Sequence, residues 1–276
     1  MNDSIETALH PYRVAAIQMV STPSVERNLA DAAVLIEQAA REGARLVLLP
    51  EYFCFMGRAD TDKVALREPA GDGPIQTFLK DIARRLEIWV VGGTLPVAAP
   101  EPERVLNATF VFDPQGREVV RYDKIHLFNF VKGAEAFDEA RTIRPGTEVR
   151  GFDAPFGRVG LSVCYDLRFP ELYRALGDCT LIVVPSAFTY TTGHAHWEML
   201  LRARAVENQC YVLAAAQGGK HENGRRTWGH SMLIDPWGTI VAQRDEGPGV
   251  VAADIDPARI AEVRQSLPAL RHRVLA

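Results

Sequence analysis

Short runs that are apolar at nearly every position recur along this chain and limit what it can fold into. Val14–Val20, Leu46–Leu49, Ile88–Val91, Ala108–Phe112, Val159–Val163, Leu181–Val184 and Tyr211–Ala216 are each of strand length. A strand without polar alternation has no face to give to water, so both of its faces must be covered. Helical patterns lie between these runs. Ser24 is placed to cap a helix reaching about Arg41, with Gly43 just past its end, and Pro74 can open another that ends near Leu86. A third covers roughly Ala195 to Gln209, with Trp197, Leu200, Leu201, Ala205 and Val206 on one face. Two further segments share one plan: Phe110-Val111-Phe112-Asp113-Pro114-Gln115-Gly116 and Met232-Leu233-Ile234-Asp235-Pro236-Trp237-Gly238 each read as a strand entering an Asp-Pro-x-Gly hairpin turn. Covered strands plus two hairpins predict an α/β chain with mixed sheets, a two-sheet sandwich with helices outside. No linker-like shift in composition divides the 276 residues, which read as a single domain.

Chemistry gathers where such runs break. Val159–Val163 rises to Cys164 and then turns at once into Tyr165-Asp166-Leu167-Arg168-Phe169-Pro170-Glu171. A sulfur at that break faces the rim of a sheet, where open α/β sheets bind ligands. Leu46–Leu49 passes through Pro50 into Glu51, and Arg121-Tyr122-Asp123-Lys124-Ile125-His126 places a lysine on an alternating stretch. One thiol, one carboxylate and one ammonium at element ends suggest acyl transfer by a cysteine nucleophile. Each residue alone has a plainer reading, as a small buried hydrophobe, an exposed acid and a solvated lysine. That plainer reading is kept for Cys179 and Cys210, while Cys54 could line the mouth of a pocket. His126, sharing a strand face with Lys124, is an alternative base for Cys164.

Other function classes find little support. A formal charge of −4 gives no reason to expect nucleic acid. The four cysteines show no CxxC spacing, which suits reduced thiols in a cytoplasm. The stretch from Met1 to Pro11 is polar and acidic without a signal-peptide core, and no apolar run approaches the ~20 residues that span a bilayer. His194-Ala195-His196 is a poor metal clamp, and no metal or organic cofactor is expected. Gly92-Gly93-Thr94 follows a strand but is neither a P-loop nor a dinucleotide fingerprint.

Leu49-Pro50-Glu51, Asp123-Lys124-Ile125-His126-Leu127-Phe128 and Cys164-Tyr165-Asp166-Leu167-Arg168-Phe169-Pro170-Glu171 together resemble the three catalytic signatures of the nitrilase superfamily of carbon–nitrogen hydrolases. They stand in that family's order, and the likeness extends from about Arg13 to the C-terminus. The resemblance implies a four-layer α-β-β-α sandwich with its core at about 13–267 and a tail at 268–276, forming a homodimer or a larger even-numbered oligomer. It assigns Cys164 as nucleophile, Glu51 as acid–base, Lys124 with the Tyr165 backbone N–H as the oxyanion site, and Glu139 as the acid that orients Lys124. Ser186–Thr189, Thr192–Glu198, Leu201–Asn208 and Ala214–Gln217 resemble the ω-amidase-like branch. That branch implies a small-molecule amide acid as substrate, deaminated glutathione foremost, with 2-oxoglutaramate or an N-carbamoyl amino acid as alternatives. Candidates for substrate contact are Tyr52, Arg168, Ala187, Phe188 and Thr189. Arg168 could instead form an ion pair with Asp166 or Glu171. The loop from Phe188 to Trp197 is expected to shape the substrate end, and Gly218–Arg226 to be a flap or an exposed loop. A catalytically silent binding protein of the same fold is the non-enzymatic alternative.

Overall fold

Two mixed sheets lie face to face with helices on their outer sides, in a computed structural model that describes residues 10–133 and 135–274. The acidic N-terminal stretch up to Leu9, and Leu275 and Ala276 of the tail, lie outside the described residues. The first half supplies strands β1 (Tyr12–Gln18), β2 (Leu46–Leu48), β3 (Trp89–Val91), β4 (Leu95–Ala98), β5 (Val105–Phe112) and β6 (Glu118–Asp123). A hairpin of β7 (Asn129–Lys132) and β8 (Glu135–Asp138) follows. The second sheet contains β9 (Gly151–Ala154), β10 (Gly157–Leu161), β11 (Leu181–Ser186) and β12 (Tyr211–Ala216). Beyond a second hairpin, β13 (Gly218–Lys220) with β14 (Arg226–Trp228), come β15 (Ser231–Ile234), β16 (Ile240–Arg244) and β17 (Gly249–Ile255). The first sheet runs β17-β1-β2-β3-β5-β4 with β6 also on β5, and the second runs β16-β15-β12-β11-β10-β9.

Each sheet has a parallel centre, β1-β2-β3 in one and β10-β11-β12 in the other, with antiparallel strands toward its edges. Parallel strands need crossovers, and the helices supply them. α1 (Val25–Arg41) starts at Ser24, whose hydroxyl accepts the Arg27 N–H, and ends before Gly43 at φ +90°. α2 (Asp62–Ala65) is a single turn, α3 (Pro74–Leu86) opens on its proline, and α4 (Pro170–Ala175) follows the Cys164 turn. α5 (Tyr190–Asn208) and α6 (Pro257–Ser266) complete the set. Among the described residues no helix is long and apolar enough to cross a membrane.

The pleat separates two cores. On β1 and β2, Val14, Ala16, Leu46 and Leu48 face the second sheet and pack with Val159, Leu161, Val183 and Leu213. Ala15, Ile17, Val47 and Leu49 point outward, against Ala32 and Ile36 of α1 and Ile75, Leu79 and Ile82 of α3. Burying one such side chain contributes about 1.5–3 kcal/mol, which is why these strands carry no polar face. Both Asp-Pro-x-Gly segments are hairpin turns. Asp113 accepts the N–H groups of Gln115 and Arg117, and Asp235 those of Trp237 and Thr239, with Gly116 at φ +73° and Gly238 at φ +86°.

The third helix begins five residues before the Ala195 expected from its pattern, so most of the supposed loop at 188–197 is helical. Thr189 caps it by accepting the Thr192 N–H at 3.2 Å. Gly193 inside the first turns hid that start. A Cβ there would stand 2.3 Å from Trp228 Cβ, so the glycine serves close packing. Trp197, Leu201 and Ala205 are buried as expected, but Val206 is exposed. At one rim the two sheets join: Met19 N–H bonds to Ala216 C=O, and Gly218 N–H to Met19 C=O. The carboxyl ends of β2, β10, β11 and β12 carry Glu51, Cys164, Ala187 and Gln217.

Candidate active site

A turn after β2 sets Glu51. Tyr52 lies at φ +56° with its N–H on Thr94 Oγ1, and Gly93, at φ +52°, passes so close that a Cβ would stand 2.1 Å from Pro50 O. That contact explains the Gly-Gly-Thr segment, which serves this turn. The Glu51 carboxylate is fully lined with donors: Oε1 accepts from Lys124 Nζ and Asn107 Nδ2, both at 2.9 Å, and Oε2 from the Ala187 N–H at 3.0 Å.

Lys124 directly follows β6 and is anchored at both backbone ends, its N–H on Asn107 O and its C=O on Gly146 N–H. Its ammonium, wholly buried, bridges Glu51 to Glu139 (Nζ–Oε2 2.8 Å). Glu139 in turn accepts from the Phe128 N–H at 2.7 Å and the Tyr52 hydroxyl at 2.9 Å. Burial pushes the Glu51 carboxyl up, and the nearby Glu139 charge adds to this more weakly than Lys124 opposes it. For Glu139, burial is opposed by Lys124 and its hydrogen bonds, which together hold the carboxyl below its usual range. Burial alone would lower Lys124, but the summed attraction of Glu139 and Glu51 carries it well above its usual value.

Cys164 opens a short 3-10 turn, Cys164–Arg168, after β10, at φ +51°. A non-glycine residue held there is strained, by about 1–3 kcal/mol, and persists only where its surroundings fix it. Asp166 does the fixing: Oδ2 accepts the Val163 N–H at 2.9 Å and the Tyr122 hydroxyl at 2.7 Å, and Oδ1 the His126 N–H at 2.9 Å. His126 Nδ1 lies 2.7 Å from the same Oδ1, and its ring stacks on Phe169 at 3.7 Å. His126 is therefore a brace for the turn, off the end of β6, and not a strand neighbour of Lys124. Tyr165 stands at the start of the turn, where a backbone N–H has no partner within the turn itself. Burial, and next the Glu51 charge, push the Cys164 thiol well above its usual pKa.

A cleft of about 450 Å³ opens over these groups. Glu51, Tyr52, Glu139, Cys164, Ala187 and Thr189 all line it, while Lys124 lies behind the two carboxylates. Phe188 is buried against Trp197 and does not line it. Arg168 does not line it either, and forms no ion pair with Asp166 or Glu171. Its guanidinium lies over the Tyr165 and Phe188 rings, at 5.7 and 5.5 Å, beside His196 Nδ1. Cys54 is a core residue whose thiol donates to Thr94 O. The 218–226 segment is the β13–β14 hairpin, and its Asn223, Gly224, Arg225 and Arg226 form one wall of the cleft. Lys63 and Asn107 carried no motif, and only the fold brings them to the site. No group of three or more His, Cys, Asp or Glu placed to hold a metal occurs among the described residues.

Comparison with known proteins agrees with this geometry. The carbon-nitrogen hydrolase family model matches residues 13–265. The chain belongs to the carbon–nitrogen hydrolase family. This carbon–nitrogen hydrolase is 44% identical over 273 residues to the deaminated glutathione amidase of Synechocystis sp., covering 96% of this chain and 99% of the relative. It is 37% identical over 265 residues to the omega-amidase NIT2 of Mus musculus, covering 95% of each. Among solved structures it superposes on the C. elegans NitFhit protein with a TM-score of 0.90 and 39% identity, covering 97% of this chain and 66% of that one. The four-layer sandwich is thus the fold of this family, and the chain is a hydrolase of carbon–nitrogen bonds.

Proposed function

We propose that this hydrolase cleaves deaminated glutathione to 2-oxoglutarate and cysteinylglycine, through a thioester on Cys164. The observation that carries the reading is the pairing of a buried thiol with a buried carboxylate whose other contacts are all donors, at the floor of an open cleft. Burial keeps Cys164 as a thiol and the three donors around Glu51 favour its carboxylate, so the thiol loses its proton as it attacks. Glu51 takes the Sγ proton while Sγ bonds to the amide carbon, and the carbonyl π pair moves onto oxygen. Lys124 Nζ holds Glu51 Oε1 and both Glu139 oxygens, and an N–H turned from the two-oxygen Glu139 contact stabilises the oxyanion beside the Tyr165 N–H. The oxyanion collapses, the C–N bond breaks, and Glu51 returns the proton to the departing nitrogen. Glu51 then deprotonates water, which attacks the thioester, and the sulfur leaves to be reprotonated as the thiol. Glu139 acts as a positioning residue for Lys124. Tyr52, Ala187 and Thr189 contact substrate, and the single-domain chain works as a homodimer in the cytoplasm.

The 37% identity to an omega-amidase favours 2-oxoglutaramate as the second reading. The test is kcat/KM on deaminated glutathione, 2-oxoglutaramate and an N-carbamoyl amino acid, with Cys164→Ala as control. A preference of ~100-fold for the first substrate, about 2.7 kcal/mol of differential transition-state binding, is expected. Equal rates on the first two would make this a general ω-amidase. Turnover that survives Cys164→Ala refutes the mechanism.

A further inference from the structure

A cleft that takes an amide acid must hold its carboxylate, and the arginine expected for that task, Arg168, is elsewhere. The cleft lining contains three cations: Lys63, Arg225 and Arg226. Arg226 is already committed, to Glu246 at 2.7 Å and to the Tyr190 ring at 3.8 Å. Lys63 and Arg225 are different. Among the described residues neither has a carboxylate within 4.0 Å. Lys63 Nζ donates to Thr142 Oγ1 at 3.3 Å and lies 5.7 Å from the centre of the Tyr52 ring. The Arg225 guanidinium rests over the Phe137 ring at 4.7 Å, and among the described residues its one side-chain hydrogen-bond contact is the Met56 sulfur at 4.0 Å. The two residues come from opposite halves of the chain, yet the Arg225 charge acts on Lys63.

Two half-buried like charges, neither in ion-pair contact with a carboxylate among the described residues, favour an anion placed between them. The cleft's acids do not fill that place. Glu51 and Glu139 hold Lys124, Glu135 accepts from Thr191, Asp138 forms no ion pair with either cation among the described residues, and Glu139 first and Asp60 next attract Lys63 only from beyond ion-pair distance. We propose that Lys63 and Arg225 form the carboxylate subsite of the cleft, with Arg225 supplying a planar fork and Lys63 a point charge to the acid half of an amide acid. The proposal rests on the amidase reading for its substrate, but the subsite can be tested without turnover.

The experiment is calorimetric titration of the intact protein with glutarate, a dicarboxylate that has no amide to cleave. Lys63→Met and Arg225→Gln are expected to weaken glutarate binding by at least about tenfold each, and Arg225→Lys by less, because the fork is lost and the charge kept. Arg226→Gln, whose cation is already paired, serves as the comparison, with thermal melts to show that each variant is folded. Unmeasurable glutarate binding by the wild type, or a smaller loss in folded Lys63→Met and Arg225→Gln, overturns the subsite. Turnover separates it from mere charge balance around Glu139: kcat/KM on 2-oxoglutaramate must fall at least about tenfold more than on neutral butyramide. Equal losses on the two amides overturn the subsite and leave the amidase reading intact. Glutarate binding that follows these residues, in a protein that cleaves neither these amides nor deaminated glutathione, supports the subsite and refutes the amidase reading.

Discussion

Replacing Glu51 by glutamine separates its charge from its shape. The carboxylate accepts from Lys124 and Asn107 on one oxygen and from the Ala187 N–H on the other. Glutamine offers one oxygen and one NH2. Its cheaper orientation keeps the oxygen on Lys124 and Asn107 and sets NH2 against the Ala187 N–H, donor against donor. Leaving that one part-buried N–H without a partner costs at most about 1–3 kcal/mol. Lys124 keeps Glu139 at 2.8 Å, so the larger penalty of a stranded buried charge, about 3–5 kcal/mol, is not incurred. Guanidinium unfolding should therefore show a folded protein with a modestly lowered midpoint. Activity should fall further, by about 10²–10⁴ in kcat/KM, because the proton acceptor is gone. The thiol should move the other way. The Glu51 charge and its hydrogen bond both raise the Cys164 pKa, while Lys124 lowers it. Removing the carboxylate leaves Lys124 in place, so alkylation of Cys164 by iodoacetamide at neutral pH should become faster as turnover collapses. Turnover within tenfold of wild type, or slower alkylation of the variant, would refute the reasoning.

Four further outcomes follow from the same contacts. The acid limb of kcat/KM should lie above the ordinary carboxylate range, since burial raises Glu51 and activity is lost as pH falls through that raised value. In Glu139→Gln the limb should move to lower pH, because the Glu139 charge is one of the influences holding Glu51 up, and a pH–rate profile reads the shift directly. Gly93→Ala should destabilise by at least about 1–3 kcal/mol, as positive φ is combined with a Cβ 2.1 Å from Pro50 O. Thermal melts check this, and a neutral result would mean that the Pro50–Tyr52 turn moves freely. His126→Ala should cost about 1–3 kcal/mol of stability by removing a contact to Asp166, yet reduce kcat/KM less than tenfold. A loss of 10² or more with the fold intact would restore histidine as the base.

The cores of both sheets were legible because a strand covered on both faces has no polar alternation. Tyr211–Ala216 could be read to the residue for that reason, and Leu181–Val184 to within two residues of the end of β11. β17 was not legible: it pairs with β1 but is only half-buried, and its apolar run Val250–Ala253 ends in two alanines and breaks at Asp254. The positions of Glu51, Lys124 and Cys164 were readable from strand ends, since each follows an apolar or alternating stretch at its break. Asn107 was hidden inside β5, where an amide among apolar neighbours looks like an isolated polar residue, and only the pairing of β5 with β6 sets it beside Lys124 and Glu51. Arg168 misled because nearness in sequence to the cysteine suggested nearness to substrate. A 3-10 turn instead points that side chain toward Tyr165 and Phe188, while Arg225 reaches the cleft from about sixty residues farther along the chain.

The shared burial of Glu51 and Cys164 also bears on why such a centre would use a carboxylate where an imidazole could serve. A cysteine paired with histidine rests as thiolate and imidazolium, and a thiolate at rest is open to oxidation and alkylation. Here burial raises both groups, and the Glu51 charge further disfavours a second negative charge on sulfur. In the proposed mechanism the resting sulfur is then a thiol, and its nucleophilic form arises only when an amide carbonyl is present to receive the charge beside Lys124. Lys124 keeps this arrangement workable: without it two buried carboxylates would share one site, and one of them would take up a proton. Lys124→Met should therefore remove the base and the oxyanion partner together, so that adding Glu51→Gln to it costs far less than the two single losses combined. Losses that simply multiply would show that Glu51 and Lys124 act independently, and would break the coupling on which the proposed mechanism depends.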